Sequence, residues 1–507
     1  MRILYVPLDE RPCNALFPAM AAESVGVELV SPPASMLSAK RTPADTRALR
    51  DFVLDRIDSC DAAVLSVDMM VYGGLIPSRL HHLDEETAAG RLGVFGELRR
   101  CAPDVRLYAA VSVMRAPSYD SDEEEPDYYA RYGHALFRRA WLEDRRRRGG
   151  LDADGEHELG SLIIPREVVR DYEMRRETNL RIDERCLDLV KDGTFDFLVL
   201  PQDDSNPYGY TAIAQQRIHR AIATREVSDR VAVHPGSDEV GSTLVCRAVC
   251  ETRRVRPLVR TRFPGVLAPS LVPLYEDRPM MQTVEAHIRA AGGRPCDPDE
   301  RADVELFINA PGKVMQEASF ARKGRDVTYD SYRNLMAFVD DARRLVDDGR
   351  LVAVADSAYA NGGDPELLES LDRTGTLERL VAYAGWNTNA NTLGTAIGQA
   401  LLCRACGAGA DDSAVRGNLA YRVIEDVFYQ TSVRWIIDAE LEAHGGSYRD
   451  VTACERWASE RARELLQEAW DRTRMAGSFS VHVDKVRFPW HRMFEIGMTV
   501  RTPGCGL

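Results

Sequence analysis

Short apolar runs recur along the chain, each bounded by polar, Gly or Pro residues and followed by a stretch with helical spacing. They are RILYVPLD (2–9), GVELVSPP (26–33), DAAVLSVD (61–68), VRLYAAVSV (105–113), FDFLVLPQDD (195–204), RVAVHPGSDE (230–239), DVELFINAPG (303–312), RLVAVADSAYANGG (350–363) and LVAYAGWNTNAN (380–391). Four to six β-favouring residues without alternation suit strands covered on both faces, the pattern of a parallel sheet between helices. The chain is therefore read as α/β. Nine such runs fit a TIM-like barrel with an insertion, or two doubly wound parallel sheets in tandem, and the spacing does not choose between them.

The rhythm breaks near 115–190, where charged segments with helical spacing, such as EVVRDYEMRRETNLRIDERCLDLV, predict helices carried outside the sheet. DSDEEEP, just before them, is expected to be an exposed loop. A second break falls where prolines concentrate in RPLVRTRFPGVLAPSLVPLYEDRP. The expected organisation is an α/β catalytic region over 1–260 with its helical insertion, a second α/β segment over 261–400 that completes the site, and a mainly helical region over 401–507.

At 507 residues the chain is about three times a typical domain of ~150 residues, long enough for a large core. Its 79 acidic and 65 basic residues give a net charge of −14, and the one dense basic run (138–150) lies between acidic stretches, so nucleic acid is not an expected partner. No secretory leader can be drawn at MRILYVPLDERP and no apolar stretch reaches the ~20 residues of a membrane span, so the expectation is a cytoplasmic protein without a membrane partner. Eleven scattered cysteines read as reduced thiols, and the single CxxC, Cys403 and Cys406, lacks a second ligand pair in its neighbourhood. No HxH or HExxH occurs, so no metal and no cofactor are assigned.

Chemistry in parallel α/β architectures gathers beyond the carboxyl ends of the strands. The residues that follow the runs include Asp9 and Arg11, Asp68 and Tyr72, Arg115, Asp203, Asp204 and Tyr208, Asp238 and Glu239, Asp356 and Asn361, then Trp386, Asn387 and Asn391. Carboxylates, carboxamides and aromatic faces match a polyhydroxylated ligand, whose hydroxyls donate and accept while its C–H faces pack on rings. Neither MVYGGLIPSR nor GWNTNANTLGTAIGQAL holds a Walker lysine or GxGxxG, so no nucleotide is assigned. Asp203 and Asp204 are adjacent where a buried run ends, and two neighbouring carboxyl groups raise each other's pKa, so one can hold a proton while the other is ionised. On a strand they would point to opposite faces, so they converge only if the strand has already turned. Asp and Asn also serve as turn formers and helix caps, the competing role for each of these residues.

Together ILYVPLDERP, SVDMMVYGGLIPSR, PQDDSNPYG, PGSDEVG, GWNTNANTLG and FPWHRMFEI resemble the bacterial family catalogued as domain of unknown function 4127, over nearly the whole chain. The resemblance implies a shared fold and a shared site, and no activity comes with it. The adjacent Asp203 and Asp204 are also similar to the aspartate pair of hydrolases of N-acetylhexosamines, in which one aspartate orients the acetamide and the other is the general acid.

The expectation is a carbohydrate-processing hydrolase, glycoside hydrolase-like, with a small-molecule or oligosaccharide substrate. Asp203, Asp204, Asp238 and Glu239 are its catalytic candidates, and Asp9, Arg11, Asp68, Tyr72, Arg115, Tyr208, Asp356, Asn361, Trp386, Asn387 and Asn391 bind substrate. One alternative is a hydrolase of phosphoesters or amides with Mg²⁺ or Mn²⁺ on Asp9, Asp68, Asp203 and Asp238. Another is a non-catalytic sugar- or nucleotide-binding protein. The oligomeric state is left open, a homo-oligomer included.

Overall fold

The computed structural model describes residues 1–321, 324–502 and 505–506. Each of the nine apolar runs contains a strand. The chain divides into two compact units, one of residues 1–10, 30–240 and 275–277, the other of 11–29, 241–274 and 278–507. This division falls elsewhere than the boundary drawn at 260, and the residues after 400 belong to the second unit.

The first sheet runs β2-β1-β3-β4-β5-β6, built from β1 (Arg2–Val6), β2 (Glu28–Val30), β3 (Ala62–Ser66), β4 (Arg106–Ala110), β5 (Phe197–Gln202) and β6 (Val231–Pro235). From β1 through β3, β4 and β5 to β6 every pairing is parallel. β3 and β5 are buried along their whole length, which is why their sequences show no alternation. Alternate residues share a face, and Leu4, Val6, Leu65, Leu107, Leu198 and Leu200 form one core with Phe95, Ile182, Leu187 and Ile218 of the covering helices. Those helices start where the sequence can cap them. Asp45 accepts from Arg47 N and Ala48 N, and Asp84 accepts from Thr87 N at 2.8 Å ahead of Glu85 and Glu86, acids that suit a helix N-terminus. The break in rhythm is the helical insertion, with helices at Tyr129–Arg147, Ala153–Ser161 and Arg166–Lys191 around Tyr129, Leu136 and Tyr172.

The second unit supplies β7 (Leu258–Arg262), β8 (Arg294–Pro295), β9 (Val304–Asn309), β10 (Gln316–Glu317), β11 (Leu351–Asp356), β12 (Tyr359–Ala360) and β13 (Ala382–Ala384). Its main sheet runs β13-β11-β9-β7-β8, all parallel, and β10 pairs with β12 apart from it. Counted from its own first strand that order is 2-1-3-4-5, the same winding with which the first sheet begins. Both are the open, doubly wound arrangement.

The TIM-like barrel is therefore corrected: there are two open parallel sheets, and no closed barrel forms among the described residues. Both architectures use the same strand-helix repeat, so the apolar runs could not separate them. The strand at 258–262 gave no apolar run because Arg260 and Arg262 interrupt it, Arg262 pairing with Glu305 of the next strand at 2.8 Å. Beyond 400 the helices appear as expected, including a ten-residue π-helix at Ile424–Val433, but β14 (His482–Arg487), β15 (Gly497–Thr502) and β16 (Cys505–Gly506) form a three-stranded antiparallel sheet.

The ten described cysteines all carry free thiols. The CxxC has neighbours the sequence did not show. Helix Val240–Thr252 passes close to helix Asn389–Cys406, where a Cβ on Gly398 would lie 3.3 Å from the Ser242 carbonyl oxygen, and one and two turns further along it carries Cys246 and Cys250 with sulfurs 4.0 Å apart. No described helix is long and apolar enough to cross a membrane.

Gly73 ends helix Val67–Tyr72 at φ +85°, and a Cβ there would lie 2.8 Å from the Ala44 backbone, whereas Gly193 has the same φ with nothing within 4 Å. Gly73→Ala should lower stability by roughly 2 kcal/mol or more, and Gly193→Ala by about 1 kcal/mol, the cost of the left-handed backbone alone. Circular-dichroism melts of the two variants should rank them in that order.

Candidate functional site

In the first unit the carboxyl ends of four neighbouring strands supply one set of polar side chains. β3 runs into two short helices, Val67–Tyr72, capped by Ser66, and Leu75–Leu80; these carry Asp68 and Arg79. β4 runs into an irregular segment that carries Arg115, Glu124 and Glu125. β5 ends at Gln202, and Asp203 and Asp204 follow, Asp204 at φ +47°. The strand has turned before the pair, as convergence requires. β6 carries His234 and leads to Asp238 and Glu239.

Two buried guanidinium groups organise this end of the sheet. The Arg79 side chain is 2% exposed and that of Arg115 11%. Arg79 Nη2 donates to Asp203 Oδ2 at 2.7 Å, and its Nη1 to Glu124 Oε2 at 3.0 Å. Arg115 Nη2 donates to that same Glu124 oxygen at 3.1 Å, Nε to Glu125 Oε1 at 2.9 Å, and Nη1 to Asp204 Oδ2 at 3.4 Å. Arg115 is held in place through its carbonyl oxygen, which accepts from Arg176 Nη1 at 2.7 Å and from the Tyr172 hydroxyl at 3.2 Å, both from helix Arg166–Lys191 of the insertion.

Burial sets the protonation of the carboxyl groups. It pushes Asp204 up from 3.8 to about 7, with the Asp203 charge adding and Arg115 and Arg79 opposing. It pushes Glu239 up to about 8, against the pull of His234 and with Asp238 and Asp203 adding. Asp68 rises to about 6, also through burial, while its hydrogen bond from Ser112 N at 2.9 Å favours the ionised form. Asp203 and Asp204 thus sit in unlike surroundings. Asp203 is ion-paired with Arg79, while the Asp204 side chain, 21% exposed beside that charge, is raised toward neutrality.

His234 Nδ1 lies 2.9 Å from the Pro235 carbonyl oxygen, an acceptor, so Nδ1 carries a proton. His234 and Glu239 offer ligand atoms within 4.8 Å of one another, a pair that could hold a metal ion. The set Asp9, Asp68, Asp203 and Asp238 is less suited, because Asp203 already faces a guanidinium and Asp68 a backbone N–H.

The other expected residues are placed as follows. Asp9 is buried just past β1. Tyr72 is buried and stacked on His81 with ring centroids 4.6 Å apart, and Tyr208 packs edge-on against Trp141 at 5.1 Å. The remainder belong to the second unit. There the Arg11 guanidinium lies over the Trp490 ring. Asp356 accepts from Asn309 Nδ2 at 2.8 Å, Asp364 N at 2.7 Å and the Tyr383 hydroxyl at 2.7 Å, so both oxygens tie the strand ends together. Asn361 and Asn387 both have left-handed φ and are joined by a backbone hydrogen bond of 2.7 Å. Trp386 packs edge-on against Phe17 and donates to Thr395 Oγ1, while Asn391 lies in the first turn of helix Asn389–Cys406.

Arg79, Glu124 and Glu125 were not among the sequence candidates. Arg79 sits in LIPSRL, where nothing in the spacing marks a buried guanidinium. The exposed loop expected at DSDEEEP is corrected at its acidic end: the Glu125 side chain is 1% exposed and that of Glu124 15%, because both are drawn onto the arginines. An acidic run beside a buried arginine cannot be told from a solvated one by composition.

A family model described as "Protein of unknown function (DUF4127)" matches residues 3–499. No curated protein and no solved structure matches the chain.

The raised carboxyl groups fix the sign of a pH effect. Asp204 and Glu239 have folded values near 7 and 8 against 3.8 and 4.5 otherwise, so up to those folded values the native state keeps protons that the unfolded chain has lost. Stability must then fall as pH rises through 7 and 8. Glu425 of the second unit, raised to about 8, acts in the same direction, while His81 and His287, lowered to about 4, act only below about 6.5. The urea midpoint should drop between pH 6.5 and 8.5, and the double variant Asp204→Asn with Glu239→Gln should flatten that slope. A midpoint that rises across the window would contradict these placements.

Proposed function

The chain belongs to the family described as "Protein of unknown function (DUF4127)", whose description carries no activity, so from its own site we propose a hydrolase of glycosidic bonds that works by carboxylate acid/base chemistry. The observation that carries this is the split pair: Asp203 bound as a carboxylate by Arg79, and the next residue, Asp204, lifted to about 7. An acid that is half protonated near neutrality can give up its proton readily and still be reloaded, the property a general acid needs.

In this reading Asp204 protonates the glycosidic oxygen as its bond to the anomeric carbon breaks. A water oxygen then bonds to that carbon, and its proton passes to the opposing carboxylate, assigned to Asp238. Asp203 keeps the proton on Asp204 by its charge, and Glu239, lifted to about 8, is the neutral hydrogen-bond donor of the set. Arg115 orients Asp204 through its Nη1. The metal-dependent alternative would draw on His234 and Glu239, whose ligand atoms lie within 4.8 Å of one another. It predicts that activity is lost in chelator and restored by the metal.

Asp204→Asn should leave the fold intact and cut turnover on a panel of aryl glycosides by roughly 10²–10⁴-fold. The kcat/KM of the unaltered protein should fall as pH rises above about 7, where Asp204 loses its proton, and the variant should lack that limb. A binding-only site would show weakened affinity with saturated turnover unchanged. Unchanged turnover in both Asp203→Asn and Asp204→Asn would remove the proposal.

A further inference from the structure

We infer that the sugar accepted here carries a carboxylate, as a hexuronate does, and that Glu124 occupies the place of that carboxylate in the free protein. This rests on the glycosidase reading of the same site. Arg79 and Arg115 meet at a single atom, Glu124 Oε2, at 3.0 and 3.1 Å. Two guanidinium groups converging on one carboxylate form a cradle for an anion.

Glu124 is not required to neutralise them. Arg79 has Asp203 through Nη2, and Arg115 has Glu125 through Nε, so each buried cation already has its own carboxylate on a different edge. Arg79 Nη1 and Arg115 Nη2 are the donors left for a further anion, and Glu124 takes both.

Release of Glu124 asks for little movement. It lies in a segment without helix or strand, and its side chain is 15% exposed where that of the next residue is 1%. The backbone on either side is fixed by Arg41, which donates to the carbonyl oxygens of Asp122 and Glu125 and pairs with the Asp127 carboxylate. A rotation of the Glu124 side chain therefore clears the cradle while the loop stays put.

The chemistry of the surroundings selects the ligand. A planar monoanion fits where Glu124 now sits, whereas a phosphate dianion would meet the Asp203 and Glu125 carboxylates around the same two cations. Glu125 Oε2 is buried with no hydrogen-bond partner among the described residues, an acceptor ready for a sugar hydroxyl. Arg115 bridges the cradle to Asp204, 3.4 Å from its Nη1, so a carboxylate held there places its ring against the general acid.

The test is calorimetric titration with glucuronate, its methyl ester and glucose, on the full chain and on Glu124→Gln. Glucuronate should bind the unaltered protein at least tenfold more tightly than the ester or glucose. In Glu124→Gln its affinity should rise roughly tenfold or more, because a tethered competitor has been removed, with no gain for the neutral sugars. Equal binding of glucuronate and its ester would overturn the inference without needing any variant. So would a Glu124→Gln protein of unaltered melting temperature whose glucuronate affinity is unchanged or weaker, the pattern of a purely structural counter-ion. Turnover of aryl glucosides that depends on Asp204, without preference for glucuronate, would leave the glycosidase reading standing and this inference fallen. Tight, Glu124-sensitive glucuronate binding with no hydrolysis of any aryl glycoside would do the reverse.

Discussion

Burying a guanidinium group requires acceptors for its donors, and at the carboxyl end of one parallel sheet the first unit meets two, those of Arg79 and Arg115, with carboxylates. Much of the site follows from that constraint. Asp203 has to meet Arg79, which requires β5 to turn immediately after Gln202 and puts Asp204 into a left-handed backbone conformation. Glu125 has to meet Arg115, which draws an acidic segment off the surface. Asp204 is then left beside a charged neighbour at a partly desolvated strand end, which raises it toward neutrality.

The second unit uses its strand ends differently. Asp356 stands after β11, yet all its hydrogen bonds come from Asn309, Asp364 and Tyr383, and Arg333 completes that net by donating to Asp364 at 2.8 Å. Asp356 and Asp364 are both tied to donors that shape the loops, and burial also raises Asp356 to about 6, as it does Asp68 of the first unit.

What the sequence could disclose follows from the range of each interaction. The strands were legible because burial on both faces writes itself locally as runs such as DAAVLSVD and FDFLVLPQDD. The winding order was not, since it depends on which runs pair, and the same strand-helix repeat serves barrels and open sheets. β7 was hidden by Arg260 and Arg262, whose cross-strand partner Glu305 lies more than 40 residues away. The pairing of Asp203 with Asp204 could be read from adjacency. The ion that pairs with one of them could not, because Arg79 is 124 residues from Asp203 in sequence. Trp386, an aromatic in an Asn-rich turn that reads as a ligand contact, packs on Phe17.

The acid/base reading needs Asp204 to carry a proton near neutral pH beside the ion-paired Asp203. Carbon-detected NMR of aspartate side-chain carboxyl groups, titrated from pH 3 to 9, measures this directly, with Asp204→Asn supplying the assignment. One resonance should titrate near pH 7 and be absent from the variant. If the Asp204 carboxyl is instead fully ionised by pH 5, the split between the two aspartates does not exist and the acid/base reading falls with it.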